Sequence, residues 1–337
     1  MIKVSIVIPT YQRCDSLKRL LTALNAQSFP QHEFEVIVSI DGSEDGSKEM
    51  IDNFKAPYLL RYIWERNRGK AAACNSGIRA ASSDLVIILD DDMEPSAELV
   101  GSHYAAHQID PHVCIVGAAP IKLDPNASPT IGQITDKFNT HLEKLSRPDY
   151  NLRIWDFYGG NFSIRKSVIT EVGLFDESYK SYGYEDVEFA YRLLNRGIKI
   201  IFNPYAMCIQ HYDDDFKGLA YKTINSGKNA VQLVNLHPDT FNELKLIEYN
   251  YTGWKWRSLR LFLIWTSMLI PPASNLIISI ISKTERKNIK VFERLFSLAM
   301  DYFFWLGVWT ALRNDKNRKQ LIAKIKSGKK PQICPTL

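Results

Sequence analysis

Short apolar runs alternate with amphipathic stretches along the first half of the chain. Lys3–Ile8, Phe34–Ile40, Tyr58–Trp64 and Leu85–Leu89 read as strands, and Asp15–Gln27, Gly46–Phe54, Lys70–Ala81 and Ser96–His107 read as helices. This alternation predicts an α/β fold, a sheet of mostly parallel strands flanked by helices. Val4–Ile8 and Leu85–Leu89 are almost unbroken apolar runs, as strands buried on both faces require. The polar stretch 120–156 reads as a loop-rich insertion holding one helix, Ile131–Leu145. Beyond it come a strand at Phe162–Arg165, helices at Ser167–Val172 and Glu185–Arg196, a stop at Gly197 and a strand at Ile198–Phe202.

From about Asn250 the pattern changes. Leu261–Ile281 has 21 residues without a charge, interrupted by Pro271-Pro272. A spanning helix needs roughly 20 apolar residues, so the proline pair breaks this one near its middle. Val291–Leu312 is rich in aromatics but carries Glu293, Arg294 and Asp301. The expectation is a pair of amphipathic or re-entrant helices lying on a membrane. The alternatives are a spanning hairpin, or helices packed on the body or in a homo-oligomer. The net charge of +5 sharpens this. Eight cations against Asp315 fall within 313–330, leaving the rest slightly acidic. Such a tail suits nucleic acid or an anionic membrane; the apolar segments before it favour the membrane surface and no nucleic acid. The chain therefore divides, in expectation, into a domain over 1–240, with halves of about 1–119 and 120–240, and a membrane-associated helical extension over 241–337.

Composition excludes other classes. Apolar residues at 45% and charged residues at 23% are ordinary for a folded globular chain. The five cysteines are scattered and form no CxxC pair, which argues against a disulfide framework or a structural zinc site. The start reads as a first strand and not as a secretion leader, so a cytoplasmic location, peripheral on the inner membrane face, is expected.

Ligands of parallel sheets bind beyond the carboxyl ends of the strands. Here those ends carry Pro9-Thr10-Tyr11-Gln12-Arg13, then Asp41-Gly42-Ser43, then Asn67-Arg68-Gly69-Lys70, then Asp90-Asp91-Asp92. Three consecutive acids after an apolar strand are costly unless a cation sits there. Period 2 puts Asp90 and Asp92 on one side, a pair of hard oxygen donors suited to Mg²⁺ or Mn²⁺. A solvated turn before the next helix is the plain alternative.

These residues, in this order, carry a resemblance. Ser5-Ile-Val-Ile-Pro-Thr-Tyr, Ile40-Asp-Gly-Ser, Asn67-Arg-Gly and Leu89-Asp-Asp-Asp resemble the nucleotide-sugar half of glycosyltransferase family 2. Gly159-Gly-Asn-Phe-Ser-Ile, Phe175-Asp176 and Gly183-Tyr-Glu-Asp-Val-Glu-Phe-Ala-Tyr-Arg192 resemble the acceptor half, close to a galactosyltransferase-like C-terminal module. The resemblance covers about residues 1–215 and implies a GT-A fold, Rossmann-like, and a nucleotide-sugar donor, UDP-linked by expectation. It assigns donor contacts to Pro9, Thr10, Tyr11, Arg13, Asp41, Asn67, Lys70, Asp90, Asp91, Gly160 and Asn161. Asp41 would accept from the uracil imide. Asp92 would bind the divalent metal, with Asp90 as a second or water-mediated ligand and His211 as a third. Asp186 would be the general base, with Glu185 holding the acceptor or orienting the site. Cys74 stands where many relatives have an arginine, which makes Lys70 or Arg79 the substitute cation.

The resemblance thus implies a metal-dependent, inverting transfer of a sugar to a hydroxyl of a polysaccharide, lipid-linked or cell-wall glycan. Two other readings compete. Nucleotidyl transfer on the same fold lacks a glycine-rich first loop with its cationic pair. A non-catalytic glycan- or membrane-binding protein predicts decay of the carboxylates, and they are all present.

Overall fold

The computed structural model describes residues 1–328 apart from Pro148, Tyr182, Pro271 and Asn314. Lys329 and Lys330 of the basic tail, and Cys334, lie outside the described residues. The chain forms two compact units. Unit 1 is Met1–Ala127, Ile131–Ser181 and Glu185–Asp213; unit 2 holds the described residues of Ser128–Thr130, Tyr182–Tyr184 and Asp214–Leu337.

Unit 1 begins with β1 (Val4–Thr10), α1 (Cys14–Leu24), β2 (Phe34–Asp41), α2 (Ser47–Asn53), β3 (Leu59–Glu65) and α3 (Lys70–Ala80). It continues with β4 (Leu85–Leu89), β5 (Met93–Pro95), α4 (Leu99–Ile109), β6 (Val113–Gly117) and, from Ile131 on, α5 (Pro129–Leu145). Then come β7 (Asn161–Arg165), α6 (Lys166–Val172), α7 (Glu185–Asn195), β8 (Lys199–Asn203) and β9 (Cys208–Gln210). The main sheet has seven strands in the order β3-β2-β1-β4-β7-β6-β8. The strands pair in parallel except β7, which runs antiparallel to β4 and β6. The mostly parallel sheet is thus as expected, while β6 is a strand that the local pattern does not announce.

The apolar runs behave as their patterning demands. Every residue of β1 and β4 is buried, because helices cover both faces of these central strands. The edge strand β3 is half-exposed along its length. A short β5-β9 ribbon brings His211 beside Asp92, with the His211 N–H donating to the Asp92 carbonyl at 2.9 Å.

Helix α3 lies unusually close to the sheet. Its sequence, Lys-Ala-Ala-Ala-Cys-Asn-Ser-Gly-Ile-Arg-Ala, is mostly small side chains. A Cβ placed on Gly77 would stand 2.2 Å from Val7 Cγ1 and 2.8 Å from Ser39 Oγ. The absence of a side chain there sets the helix height, and so the position of Lys70 at its first turn.

Unit 2 contains α8 (Phe216–Leu236), α9 (Trp254–Leu269), α10 (Pro272–Lys287), α11 (Ile289–Leu312) and α12 (Arg318–Ser327). The break between α9 and α10 falls at the proline pair, as expected. Helix α8, capped by the Asp215 carboxylate on the Gly218 N–H at 2.7 Å, was not anticipated. Helix α11 is one of the helices expected to lie on a membrane. It is long and apolar enough to cross one, yet Phe292, Phe296, Tyr302, Phe303 and Trp305 are buried within unit 2. Gly307 and Gly227 let α11 and α8 touch backbone to backbone. The acid that marked α11 as a poor span, Asp301, accepts from Arg260 at 2.7 Å and Trp256 at 2.8 Å. Arg260 is fully buried between the rings of Tyr249 and Trp305.

Close packing of α3 gives a direct test. Gly77→Ala should lower stability by about 1–3 kcal/mol, the usual cost of overpacking, read as a lower denaturant midpoint at unchanged slope. Gly101→Ala in α4, where a Cβ meets no atom within 4 Å, should be neutral or slightly stabilising. Equal effects of the two changes would refute the tight α3–sheet contact.

Candidate active site

The carboxyl ends of β1 and β4 are adjacent, and this places Thr10 against Asp91. Thr10 Oγ1 donates to Asp91 Oδ2 at 2.7 Å. Arg13 reaches both Asp91 and Asp92, at 3.8 and 3.9 Å, and donates to Asp213 at 2.8 Å. Gln12 takes a left-handed backbone conformation (φ 55°) to turn the loop, and its N–H donates to Ser43 Oγ. Pro9 is buried within β1, whereas Tyr11 is about half exposed at the mouth of the loop.

Asp41 has a structural task in this arrangement. Its two oxygens accept from the N–H groups of Arg68, at 2.7 Å, and Gly69, at 2.9 Å. It therefore fixes the loop that launches α3, with lone pairs left for a ligand. Asn67 is exposed, and Arg68 turns to Glu65 and Glu177. Lys70 turns the other way. Its ammonium sits 2.6 and 2.7 Å from the two carboxylate oxygens of Asp90. Burial opposes the charge on Lys70, but Asp90 and Glu185 outweigh it and hold its pKa well above the usual lysine value. Of the two cations expected to substitute at Cys74, Lys70 faces the acids and Arg79 pairs with Glu177.

The second half of the chain meets this cluster through two glycines. A Cβ on Gly160 would lie 3.0 Å from Asp90 Oδ2. One on Gly159 would lie 3.8 Å from Lys70 Nζ and 3.9 Å from Asp186 Oδ2. The Asp90 N–H donates to the Gly160 carbonyl at 2.9 Å. Asp186 Oδ1 accepts from the Val187 N–H at 2.8 Å and Oδ2 from the Gly159 N–H at 3.3 Å. Just before this pair of acids, Tyr184 holds φ at 76°, rare for an aromatic residue and a sign of local strain. Asp90, Lys70, Glu185 and Asp186 thus share one small space, although 115 positions separate Lys70 from Glu185.

Burial, with like charges crowded together, raises the proton affinity of four of these acids. Burial pushes Asp91 up to about 7, helped by Asp90 and Asp92 and opposed by Thr10 and Arg13. Burial also pushes Glu185 up to about 7, with Asp186 adding to it and Lys70 opposing. Asp92 and Asp186 are raised as well, chiefly by burial. Asp92 Oδ1 and Glu185 Oε2 are buried and accept no hydrogen bond.

Two predicted site residues have other engagements. Asn161 is fully buried; its amide oxygen accepts from His103 Nε2 at 3.0 Å and its amide nitrogen donates to the carbonyls of Ala118 and Ala206. Its side chain is therefore a scaffold element and not a free donor contact. The His211 ring pairs with Glu94 at 2.5 Å, while Asp92 Oδ2 accepts from Gln210 at 3.2 Å. Glu94 and Gln210 were missed by sequence reading, because only the β5-β9 pairing brings them to Asp92 and His211. Among the described residues, no three His, Cys, Asp or Glu side chains form a ready metal cage.

A divalent cation nevertheless fits what is present. The bare, buried Asp92 Oδ1 beside the other acids is a hard oxygen donor lacking a partner. Mg²⁺ and similar ions are commonly held by one or two carboxylates, with substrate phosphates completing the shell.

Comparison with known proteins agrees with this geometry. The model of glycosyl transferase family 2 matches residues 5–173, and that of the N-terminal domain of galactosyltransferase matches 140–213. The chondroitin synthase of Escherichia coli is 31% identical over 223 residues, covering 57% of this chain and 32% of that one. The chain spans about half the length of other curated relatives it matches. The mannosyltransferase of Pyrobaculum calidifontis, solved with GDP-Man and Mn²⁺, superposes with a TM-score of 0.59 at 17% identity, over 93% of this chain and 88% of that one. TarS 1–349 of S. aureus, solved with UDP-GlcNAc, gives 0.52 at 15% identity, over 91% and 90%. With its GT-A sheet, its clustered strand-end acids and a family match over half its length, the chain belongs to glycosyltransferase family 2.

Proposed function

We propose that unit 1 moves a sugar from a nucleotide sugar to an acceptor hydroxyl with inversion, aided by a divalent cation, Mn²⁺ or Mg²⁺. The observation that carries this reading is the convergence of Asp90, Lys70, Gly159-Gly160 and the Glu185-Asp186 pair. UDP is the expected nucleotide, because Asp41 keeps lone pairs with which it would accept from a uracil imide. The fold-level neighbours, solved with GDP-Man and UDP-GlcNAc, support a nucleotide sugar without choosing the base. A polysaccharide, lipid-linked or cell-wall glycan is the proposed acceptor, and the relative named chondroitin synthase supports a polymer.

Each residue has a part in this reading. Thr10, Tyr11, Arg13 and Asp41 form the nucleoside side, and the two glycines leave room for the donor sugar. Asp91 and Asp90 lie where sugar or ribose hydroxyls would be held. Asp92, with His211 turned by Glu94, would hold the cation, which when bound would neutralise charge on the departing diphosphate. Lys70 supplies a fixed positive charge in the same space. Asp186 takes the proton as the acceptor oxygen attacks the anomeric carbon opposite the diphosphate. Two backbone N–H groups hold its carboxylate in place, and its raised pKa makes it a stronger base than a solvated aspartate. Glu185, whose proton affinity burial and the Asp186 charge raise, can donate to or accept from the acceptor.

Two outcomes follow. Asp186→Asn should lower transfer by roughly 10²–10⁴-fold, with donor affinity within about threefold of the parent by titration calorimetry. Equal loss of transfer and donor affinity would remove Asp186 as the base. Asp91 gives a pH test. Its folded pKa of about 7 lies above the ordinary 3.8, so the folded chain binds the extra proton and loses stability as pH rises through 7. In chelator, Asp91→Asn should therefore raise stability at pH 8 by on the order of 1–3 kcal/mol, read as a higher melting temperature, and clearly less at pH 5. A gain independent of pH would contradict the buried-charge account.

A further inference from the structure

Helix α9 of unit 2 buries one stripe, Arg260, Ile264 and Ser267, and leaves another in the open. That second stripe is Trp254, Leu261, Phe262, Trp265 and Leu269, spaced to share one helical face. Trp265 and Leu269 are each 61% exposed, and Ile270, at the connection, 59%. Helix α10 continues the surface with Leu276 and Ile280, exposed by 62% and 53%. Single exposed apolar side chains are ordinary, but a contiguous aromatic and aliphatic face of this length marks an interaction surface.

Charge identifies the partner. Lys255 and Arg257 stand in the first turn of α9, and Lys283, Arg286 and Lys287 in the last turns of α10. Both ends lie away from the proline connection, so cations flank an apolar tip. Helix α9 has no acid, and the acid of α10, Glu285, accepts from the N–H and hydroxyl of Thr130. We propose that this α9–α10 face docks on an anionic lipid surface. The tip around Trp265, Leu269, Ile270 and Leu276 enters the acyl boundary, and the cations sit at the headgroups.

Of the two apolar segments that the sequence offers to a membrane, this face takes Leu261–Ile281, carried on α9 and α10. Helix α11 packs inside unit 2. In the basic tail, Leu321 and Ile325 of α12 are buried, and Lys324 donates to the Pro238 carbonyl over the ring of Phe241. The test of docking is independent of the donor chemistry, since vesicle binding needs no nucleotide sugar.

The full chain should pellet with phosphatidylcholine vesicles containing phosphatidylglycerol, and at least tenfold more weakly with phosphatidylcholine alone. The double change Trp265→Ser, Leu269→Ser should cut that partition at least tenfold, while Lys283→Glu with Lys287→Glu should abolish the preference for anionic lipid. An unchanged circular dichroism melt shows that each variant is folded. Parent protein left in the supernatant, or the serine variant pelleting like the parent, overturns the proposal. A dimer in gel filtration that the serine changes dissociate, without vesicle binding, gives the face to a second copy instead.

Discussion

Five acids crowd the carboxyl end of one sheet, and the structure around them exists to make that tolerable. Buried like charges cost several kcal/mol unless cations or hydrogen bonds answer them. Lys70 answers Asp90, Arg13 answers Asp91 and Asp92, and main-chain N–H groups answer Asp186. Each partner needs its own scaffold. Lys70 requires α3 pressed against β1, which Gly77 permits. The loop before α3 requires Asp41 at the end of β2. The approach of Asp186 requires two residues without side chains at the start of β7. The remaining imbalance, seen in the raised pKa values of Asp91, Asp92, Glu185 and Asp186, is what a cationic ligand set would relieve.

Much of this was legible in the chain. Double-sided burial writes itself as unbroken apolar runs, so β1, β2 and β4 were readable, and their polar ends pointed to the site. The short run Val113-Cys-Ile-Val-Gly was equally apolar, but it sits between a helix and a long loop and reads as neither; only pairing with β7 and β8 makes it a strand. The three-residue strands β5 and β9 are too short for any local pattern to name their partners. Their pairing sets His211 against Glu94 and Asp92 against Gln210, a juxtaposition that no local pattern contains. Asn161 shows the opposite difficulty. Its place in a glycine-rich motif suggests a ligand contact, while its environment, beside His103 and two carbonyls, makes it a buried strut.

Unit 2 illustrates how composition misleads when tertiary pairing is hidden. Val291–Leu312 is the more aromatic of the two apolar segments, which suggests a lipid partner. Its rings instead pack within unit 2, and its acid is the counter-charge of a buried arginine. The less aromatic α9 keeps its apolar face outside. Which of two apolar helices is interior depends on the small residues that let one of them approach a neighbour. Gly227 and Gly307 do this for α8 and α11, eighty positions apart in sequence.

The central claim is that the acidic cluster is a donor site completed by a divalent cation. Thermal melts with UDP, with Mn²⁺, with the two together and with chelator address it most directly. The account predicts a rise with UDP and Mn²⁺ together that exceeds the sum of the separate rises, and that chelator abolishes. A melt indifferent to all four conditions would contradict it.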